Sequence, residues 1–350
     1  MTGEDPKVYV LLLNWRGWKD TIECLESVLR QPYPRYQVIV CDNDSGDGSL
    51  ERIAAWARGE LAADAALGHL VSARSTPPVR KPVPCVHLTR EEAECGAGDA
   101  PLVLVQTGGN LGFAGGNNVG LRYAMARGDA AYVWLLNNDT VVDPGALLAM
   151  VQVAESDPEV GMVGSKLLYY DEPGRIQAAG GGRVIPWQGL TAFLGEGEED
   201  RRQWEEPLDP DYITGASLLV RASLVEELGG LDERYFLYSE EVDWCLRARE
   251  RGWRLRYAPG SLVWHKGGKS VGHRSALHDY HTVRGMLLLV RRFYPALLPA
   301  AFLYSMYRCV APKVFRLQFG RLRAVLRAYR DFLSNASPSF RPGIPDPEKP

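Results

Sequence analysis

The stretch Tyr132-Val133-Trp134-Leu135-Leu136-Asn137-Asn138-Asp139-Thr140 constrains this chain more than any other. Five apolar residues in a row, most of them β-branched or aromatic, read as a strand buried on both faces. The strand runs straight into two amides and a carboxylate, then into Asp143-Pro144, a pair that predicts a helix with Asp143 as N-cap and proline in the first turn. In an open α/β sheet, ligands bind outside the carboxyl ends of the strands. Asp139 therefore stands where such a protein holds a metal or substrate ligand, although Asn138 and Asp139 would serve a plain turn equally well. The rest of the chain decides between these readings.

The same arrangement opens the chain. Val8 to Leu13 is an apolar strand ending at Asn14. Asp20 and Glu23 have capping-box spacing, and Leu25, Val28 and Leu29 share one helix face. Gln37 to Cys41 is a second strand, ending in the polar run Asp42-Asn43-Asp44-Ser45-Gly46-Asp47-Gly48-Ser49. Strand, helix and strand in so few residues make a βαβ unit with a parallel pair. The acidic run is turn chemistry by default, and it lacks the Glu an EF-hand needs at its twelfth position. Asp42, at a strand's carboxyl end, is also placed to accept hydrogen bonds from a base or ribose. Between Gly59 and Ala100, prolines 77, 78, 82 and 84 among mixed charges predict a long loop or insertion. Leu102 to Gln106 resumes as a strand, and residues 108–118 read as a glycine-rich loop feeding a helix to about Arg127. Such loops bring backbone N–H groups to an anion at a helix N-terminus. This one matches neither the P-loop nor the dinucleotide fingerprint, which argues against an NAD-dependent oxidoreductase.

In the second half, Pro144 to Ser156 reads as a helix and Val160 to Ser165 as a strand. Residues 171–211, rich in glycine, acids and tryptophan, read as loops that shape an acceptor pocket or cover the sheet. Ser217 to Val220 is a strand, and Ser223 to Leu228 a helix stopped by Gly229-Gly230. The second dense segment is Tyr235 to Trp244. Val242, Cys245, Leu246 and Arg249 form a helix stripe, so Glu240, Glu241 and Asp243 crowd its first turn. The helix dipole favours acids there, yet three exceed what it requires. Two short strands follow, Arg254 to Ala258 and Leu262 to His265, and His265 ends its strand as Asp139 does.

A net charge of -3 gives no overall signal for nucleic acid. Six scattered cysteines without a C-x-x-C pair predict a reducing compartment rather than a disulfide framework or zinc site. The polar first residues show no signal peptide, and no window reaches the roughly 18 apolar residues of a membrane span. Between Arg284 and Arg330 every charged residue is basic, interleaved with residues such as Phe293, Phe302, Leu303, Tyr304, Phe315 and Leu317. Basic amphipathic helices of this kind lie on anionic membrane surfaces. Pro295, Pro299 and Pro312 split the segment into two or three helices, and the tail from Ser334 reads as disordered.

In order along the chain, LLLNWRGWKDTIECLESV, VIVCDNDSGDGS, GGNLGFAGGNN, WLLNNDT, ITGASLLVR, GGLDERYFLYSEEVDWCLRARERG and LVWH resemble the family 2 inverting glycosyltransferases. The nearest subgroup is the rhamnosyltransferase-like and galactofuranosyltransferase-like enzymes of cell-surface polysaccharide synthesis. The resemblance spans Val8 to Lys269 and implies the α/β GT-A fold, a Rossmann-like, mostly parallel sheet flanked by helices, to which the composition adds a C-terminal basic amphipathic helical extension. Resemblance and composition together predict a transferase domain over residues 1–276 with a loop insertion at 59–100, a membrane-associating extension at 277–333 and a disordered tail at 334–350.

By the same resemblance, Asn137 holds the first position of an Asp-x-Asp-type motif and Asp139 the last. Asp139 then carries the metal contact, with His265 as second ligand, for Mn²⁺ or Mg²⁺. Asn14, Asp42, Asn43, Asn110, Gly112, Asn117, Asn138 and Asp139 would form the nucleotide and donor site, with Asp42 reading the base. Glu241 stands where the family has its Asp general base, and Gly215, Ala216, Glu240, Asp243 and Trp244 would border the acceptor. The Q-x-x-R-W motif of processive synthases is absent, which implies one sugar per encounter. The implied donor is dTDP-L-rhamnose first, then a UDP-hexose or UDP-galactofuranose. The acceptor would be a lipid-linked or polysaccharide hydroxyl, reached from the cytoplasmic face of an anionic membrane. The rival reading is a non-catalytic nucleotide-sugar-binding protein on the same fold.

Overall fold

The apolar runs pair into one sheet in the computed structural model, which describes residues 5–63, 71–206, 208–267 and 275–338. The strands are β1 (Val8–Asn14), β2 (Tyr36–Asp42), β3 (Cys85–Thr89), β4 (Leu102–Gln106), β5 (Tyr132–Asn137), β6 (Thr140–Val142), β7 (Val160–Tyr169), β8 (Ile176–Ala179), β9 (Gly181–Ile185), β10 (Leu190–Phe193), β11 (Tyr212–Ile213), β12 (Ser217–Arg221) and β13 (Arg254–His265). The helices are α1 (Trp18–Val28), α2 (Ser49–Arg58), α3 (Arg90–Glu94), α4 (Gly112–Ala126), α5 (Ala146–Glu155), α6 (Ala222–Leu228), α7 (Glu240–Glu250), α8 (Ala276–Phe293), α9 (Leu298–Cys309), α10 (Ala311–Phe315) and α11 (Phe319–Leu333).

The main sheet runs β3-β4-β2-β1-β5-β12-β7-β13-β6, with β8 on β7. Strands β3 to β5 in that order are all parallel, and antiparallel β12 separates them from the parallel pair β7 and β13. Alternation along β1 divides the core. Val8, Val10 and Leu12 meet α1, α2 and α5, while Tyr9 and Leu11 meet α4, α6, α7 and α8. Strand order reverses at β1, which has β2 on one side and β5 on the other. That is the switch point where an open sheet leaves a crevice.

The glycine-rich run is not a phosphate loop: most of it lies inside α4. A Cβ at Gly116 would come 2.5 Å from Leu13 Cδ1, and one at Gly120 would come 2.1 Å from Leu11 Cδ1. These glycines let the helix lie close on β1. The first N–H groups of α4 are already taken, since Gly112 donates to Asn110 Oδ1 and Phe113 to the Phe236 carbonyl.

Other expectations shift in detail. Asp143 caps a turn, accepting from Gly145 N–H, and α5 starts three residues later at Ala146. Asp20 and Glu23 sit within α1 and hold Lys266 Nζ instead of forming a capping box. The stretch 59–100 contributes edge strand β3 and helix α3, and residues 64–70 lie outside the described residues. Residues 171–211 contain β8 to β10, and β9 and β10 form a second sheet with β11 just beyond them. The two strands read at 254–258 and 262–265 are one, broken in register between Ala258 and Leu262.

The expected boundary at residue 276 does not separate the C-terminal helices from the core. Met286 and Leu289 of α8 are buried with α4, α6 and α7, and Arg292 pairs with Asp243 of α7 at 2.9 Å. The opposite face of α8 packs on α11 through Tyr280, Val283 and Leu287. Pro299 and Pro312 fall in helix first turns, so the segment holds four helices. At the start of the tail, Arg284 donates to the Ala336 carbonyl and Arg291 to Asn335 Oδ1. Residues 339–350, where the disordered tail was expected, lie outside the described residues, as do Gly268 and Lys269. Among the described residues no helix is long and apolar enough to cross a membrane.

Candidate active site

A cavity of about 330 Å³ opens at the switch point. Asp139 lies in the turn joining β5 to β6, and β6 pairs antiparallel with the end of β13, His265 opposite Thr140. Strand register therefore brings Asp139 Oδ1 within 3.1 Å of His265 Nε2. The backbone holds this juxtaposition once more, since Lys266 N–H donates to the Asp139 carbonyl at 3.0 Å. Burial pushes the Asp139 carboxyl up, but the His265 imidazole, with Lys266 beyond it, outweighs that and holds it below the usual carboxylate value.

The imidazole is oriented by a residue the sequence did not flag. His265 Nδ1 is 2.7 Å from Gln177 Oε1, and the carbonyl oxygen calls for the proton on Nδ1. Nε2 is thereby turned to the cavity, 3.2 Å from Asn137 Nδ2. Nε2 and the Asp139 oxygen lie 3.1 Å apart, a contact closed by a shared proton or by a cation that takes the proton's place. This donor set fits a divalent cation. Among the described residues no cluster of three or more His, Cys, Asp or Glu groups could hold a metal. The chain offers two ligands, and the rest would come from bound phosphates or water.

Glu241 reaches the same cavity from the N-terminus of α7. Glu240 and Glu241 line it together, and Oε2 of each is buried with no hydrogen-bond partner among the described residues. Burial pushes the Glu241 carboxyl up to about 7, against backbone N–H groups at the start of α7 that favour its anion. Glu240 is pushed up as well, by burial and by the charge of Glu241. Phe236, Tyr238 and Ser239, in the loop before α7, have φ of 61°, 66° and 76°. Such left-handed non-glycine residues are costly and persist where packing over-determines them. Here α8 does so: His281 stacks on Phe236 and His278 meets Tyr238 edge-on, while a Cβ at Gly285 would come 2.9 Å from the Tyr238 carbonyl.

Of the residues expected from sequence, Asn43, Asn110, Gly112, Asn138, Asp139, Gly215, Ala216, Glu240, Glu241 and His265 line the cavity. Asn14, Asp42, Asn117, Asp243 and Trp244 do not. Asn14 Nδ2 donates to Asp42 Oδ1 at 2.6 Å, and Ser45 supplies the remaining donors to that carboxylate, so the pair braces the β1 and β2 ends from beneath. Asn117 donates to the Phe113 carbonyl within α4. Asp243 is fully buried and takes Arg247 and Arg292, while the Trp244 indole donates to the Gly229 carbonyl. Sequence reasoning missed Trp15, Gln177, Phe193 and Leu277. It quoted Phe236 and Tyr238 without giving them a place at the site.

The family described as "Glycosyltransferase like family 2" matches residues 86–280, and "Glycosyl transferase family 2" matches residues 9–63. An N-acetylglucosaminyl-diphospho-decaprenol L-rhamnosyltransferase of Mycobacterium tuberculosis is 32% identical over 195 residues, 50% of this chain and 62% of that protein. The rhamnosyltransferase WbbL of Escherichia coli is 27% identical over 163 residues, 44% of this chain and 60% of that protein. These matches thus span about three fifths of the curated relatives' own length. A mannosyltransferase from Pyrobaculum calidifontis, solved with GDP-Man and Mn²⁺, superposes with a TM-score of 0.52 at 15% identity, covering 95% of this chain and 88% of that one. With more than half its length matched, the chain belongs to glycosyltransferase-like family 2 and has the GT-A fold.

Proposed function

We propose that the protein transfers a single sugar, with inversion, from a nucleotide-sugar to a hydroxyl of a lipid-linked or polysaccharide acceptor in cell-surface glycan synthesis. One observation carries the reading: a carboxylate–imidazole pair that can trade its shared proton for a cation, and a buried carboxylate that titrates near neutrality and has no partner among the described residues, share one ligand-sized cavity. The rhamnosyltransferase relatives make dTDP-L-rhamnose the first donor to test, ahead of UDP-hexoses and UDP-galactofuranose. A peripheral position on the cytoplasmic face of the membrane suits a lipid-linked acceptor of the kind named for the mycobacterial relative.

Asp139 and His265 would hold Mn²⁺ or Mg²⁺, which when bound neutralises charge on the departing nucleoside diphosphate. Gln177 fixes the imidazole so that Nε2 faces the ligand. Asn43, Asn110 and Asn138 present amides along the donor side. The buried carboxylate of Glu241 takes the acceptor hydroxyl's proton as the bond to the sugar forms, and inversion requires that base on the face opposite the leaving group. The sugar carries oxocarbenium character in between. A carboxylate with its affinity for protons raised towards neutrality is a stronger base than an exposed one and is still about half ionised at pH 7.

The test is nucleotide release from dTDP-, UDP- and GDP-sugars with Mn²⁺ or EDTA, on wild type and Asp139→Ala. Metal-dependent release from one donor, lost in the variant, supports transfer and identifies the sugar. No release combined with no metal-dependent binding of any intact donor would overturn it.

A further inference from the structure

The cavity is tied at two places to the last three helices. Phe193 of β10 lines it, and the turn between β9 and β10 carries Trp187, whose ring meets Tyr304 of α9 edge-on with centroids 5.5 Å apart. From Leu190 to Phe193 that strand covers only about 10 Å. At the second place, Leu277 of α8 lines the cavity, and Asp279, one half-turn on, pairs with Lys313 of α10 at 3.2 Å and Arg321 of α11 at 2.7 Å. The cavity wall is thus joined to α9, α10 and α11 through both β10 and α8.

Those helices face outward with apolar side chains. Leu303 and Tyr307 lie one turn apart on α9, and Phe315, Leu317 and Phe319 follow at the α10–α11 apex, Tyr307 being 75% and Phe315 86% exposed. So dense an exposed apolar surface on a folded chain marks an interaction site. Exposed Arg308, Arg316 and Arg323 stand among them, and the sequence from Arg284 to Arg330 holds no acid at all. Long cationic side chains around exposed aromatic and aliphatic ones complement a lipid surface whose headgroups are anionic and whose interior is apolar. Nucleic acid would answer the charges and leave the apolar side chains in water.

We infer that the α9–α11 apex and the Trp187 turn form a docking rim for an anionic bilayer, so that the cavity mouth is seated against the lipid surface. Phe315, Leu317 and Phe319 enter the boundary between headgroups and acyl chains, and Trp187 rests at the interface. This rests on the proposed transfer reading only for its purpose, which is to meet an acceptor carried by a lipid.

The full-length chain should co-sediment with phosphatidylcholine vesicles containing phosphatidylglycerol, and far less with phosphatidylcholine alone. The triple variant Phe315→Ser, Leu317→Ser, Phe319→Ser should partition at least about tenfold more weakly. Brominated phospholipid in the same vesicles should quench a fluorescence component that Trp187→Phe removes. Binding without that component would turn the mouth away from the bilayer and overturn the orientation. Absence of vesicle binding, or a triple variant that binds like wild type and is released by salt, would overturn the rim itself, and so would a preference for RNA over vesicles. Nucleotide release by the triple variant in lipid-free solution reports separately on the transfer reading.

Discussion

Replacing Glu241 by Gln separates the catalytic proposal from its structural cost in one variant. The amide keeps the side chain's shape but cannot take a proton, so transfer should fall about 10²- to 10⁴-fold, roughly 3–5 kcal/mol of barrier. Stability should move the other way. In the folded chain burial raises this carboxyl from an ordinary 4.5 to about 7. The folded state thus binds the proton more tightly than the unfolded chain does. The penalty for ionising it is absent below about pH 4.5, grows as pH rises, and is complete above about 7. Taken at face value the difference is about 3 kcal/mol, and partial solvent contact reduces it to roughly 1–2 kcal/mol. The amide's own unpaired N–H costs stability too, but equally at every pH. The decisive quantity is therefore the gap in Tm between variant and wild type, which should shift in the variant's favour by a few degrees between pH 5 and pH 8. Thermal unfolding across that range, with donor binding and transfer measured on the same preparations, tests both halves. Near-normal turnover removes Glu241 as the base, and a Tm gap independent of pH shows that its carboxyl is solvated.

Three further outcomes follow from the geometry. In wild type, transfer should rise about tenfold per pH unit below neutrality and level off above about 7 as Glu241 loses its proton, and a flat rate from pH 5.5 to 7.5 contradicts this. Gly112→Ala puts a Cβ 2.3 Å from the Phe236 carbonyl at a φ of +72°, so it should destabilise the fold by roughly 2–4 kcal/mol in denaturant titration. An unchanged midpoint would mean that α4 is not clamped to this loop. Asp243→Ala leaves Arg247 and Arg292 without their buried carboxylate and should lower stability by roughly 3–5 kcal/mol, with the acceptor KM unaltered in the folded fraction. A raised KM at full stability would return Asp243 to the acceptor site.

The strands of the main sheet could be read from the chain because burial on both faces leaves no polar positions, as in Val133–Leu136. Residues whose role depends on direction were harder. Asn14, Asp42 and Asn117 have the chemistry of ligands and the position of ligands, yet their side chains turn inward to brace neighbouring strands and a helix. Gly112, Gly115 and Gly116 read as part of a loop because their intrinsic preference is against helix, and tertiary packing such as that of Gly116 on Leu13 overrode it. Gln177, 88 residues before His265, gave no local signal, since only the pairing of β8 with β7 brings it to the imidazole. Asp139, Glu241 and His265 were legible because each ends or begins an element with a charge that the element itself does not need.

The packing of α8 has a bearing on how parts can be exchanged among members of this family. The matched region stops at residue 280, in the second turn of α8, whereas Gly285, Met286 and Leu289 lie beyond it and hold the strained loop and the core beneath. A chimera joined at 280 would therefore graft a foreign helix onto the wall of its own active site. Its donor and acceptor preferences would reflect that mismatch as much as the residues deliberately swapped. A joint beyond residue 336, after Arg284 has made its hydrogen bond to the returning chain, keeps the wall and its support from a single parent.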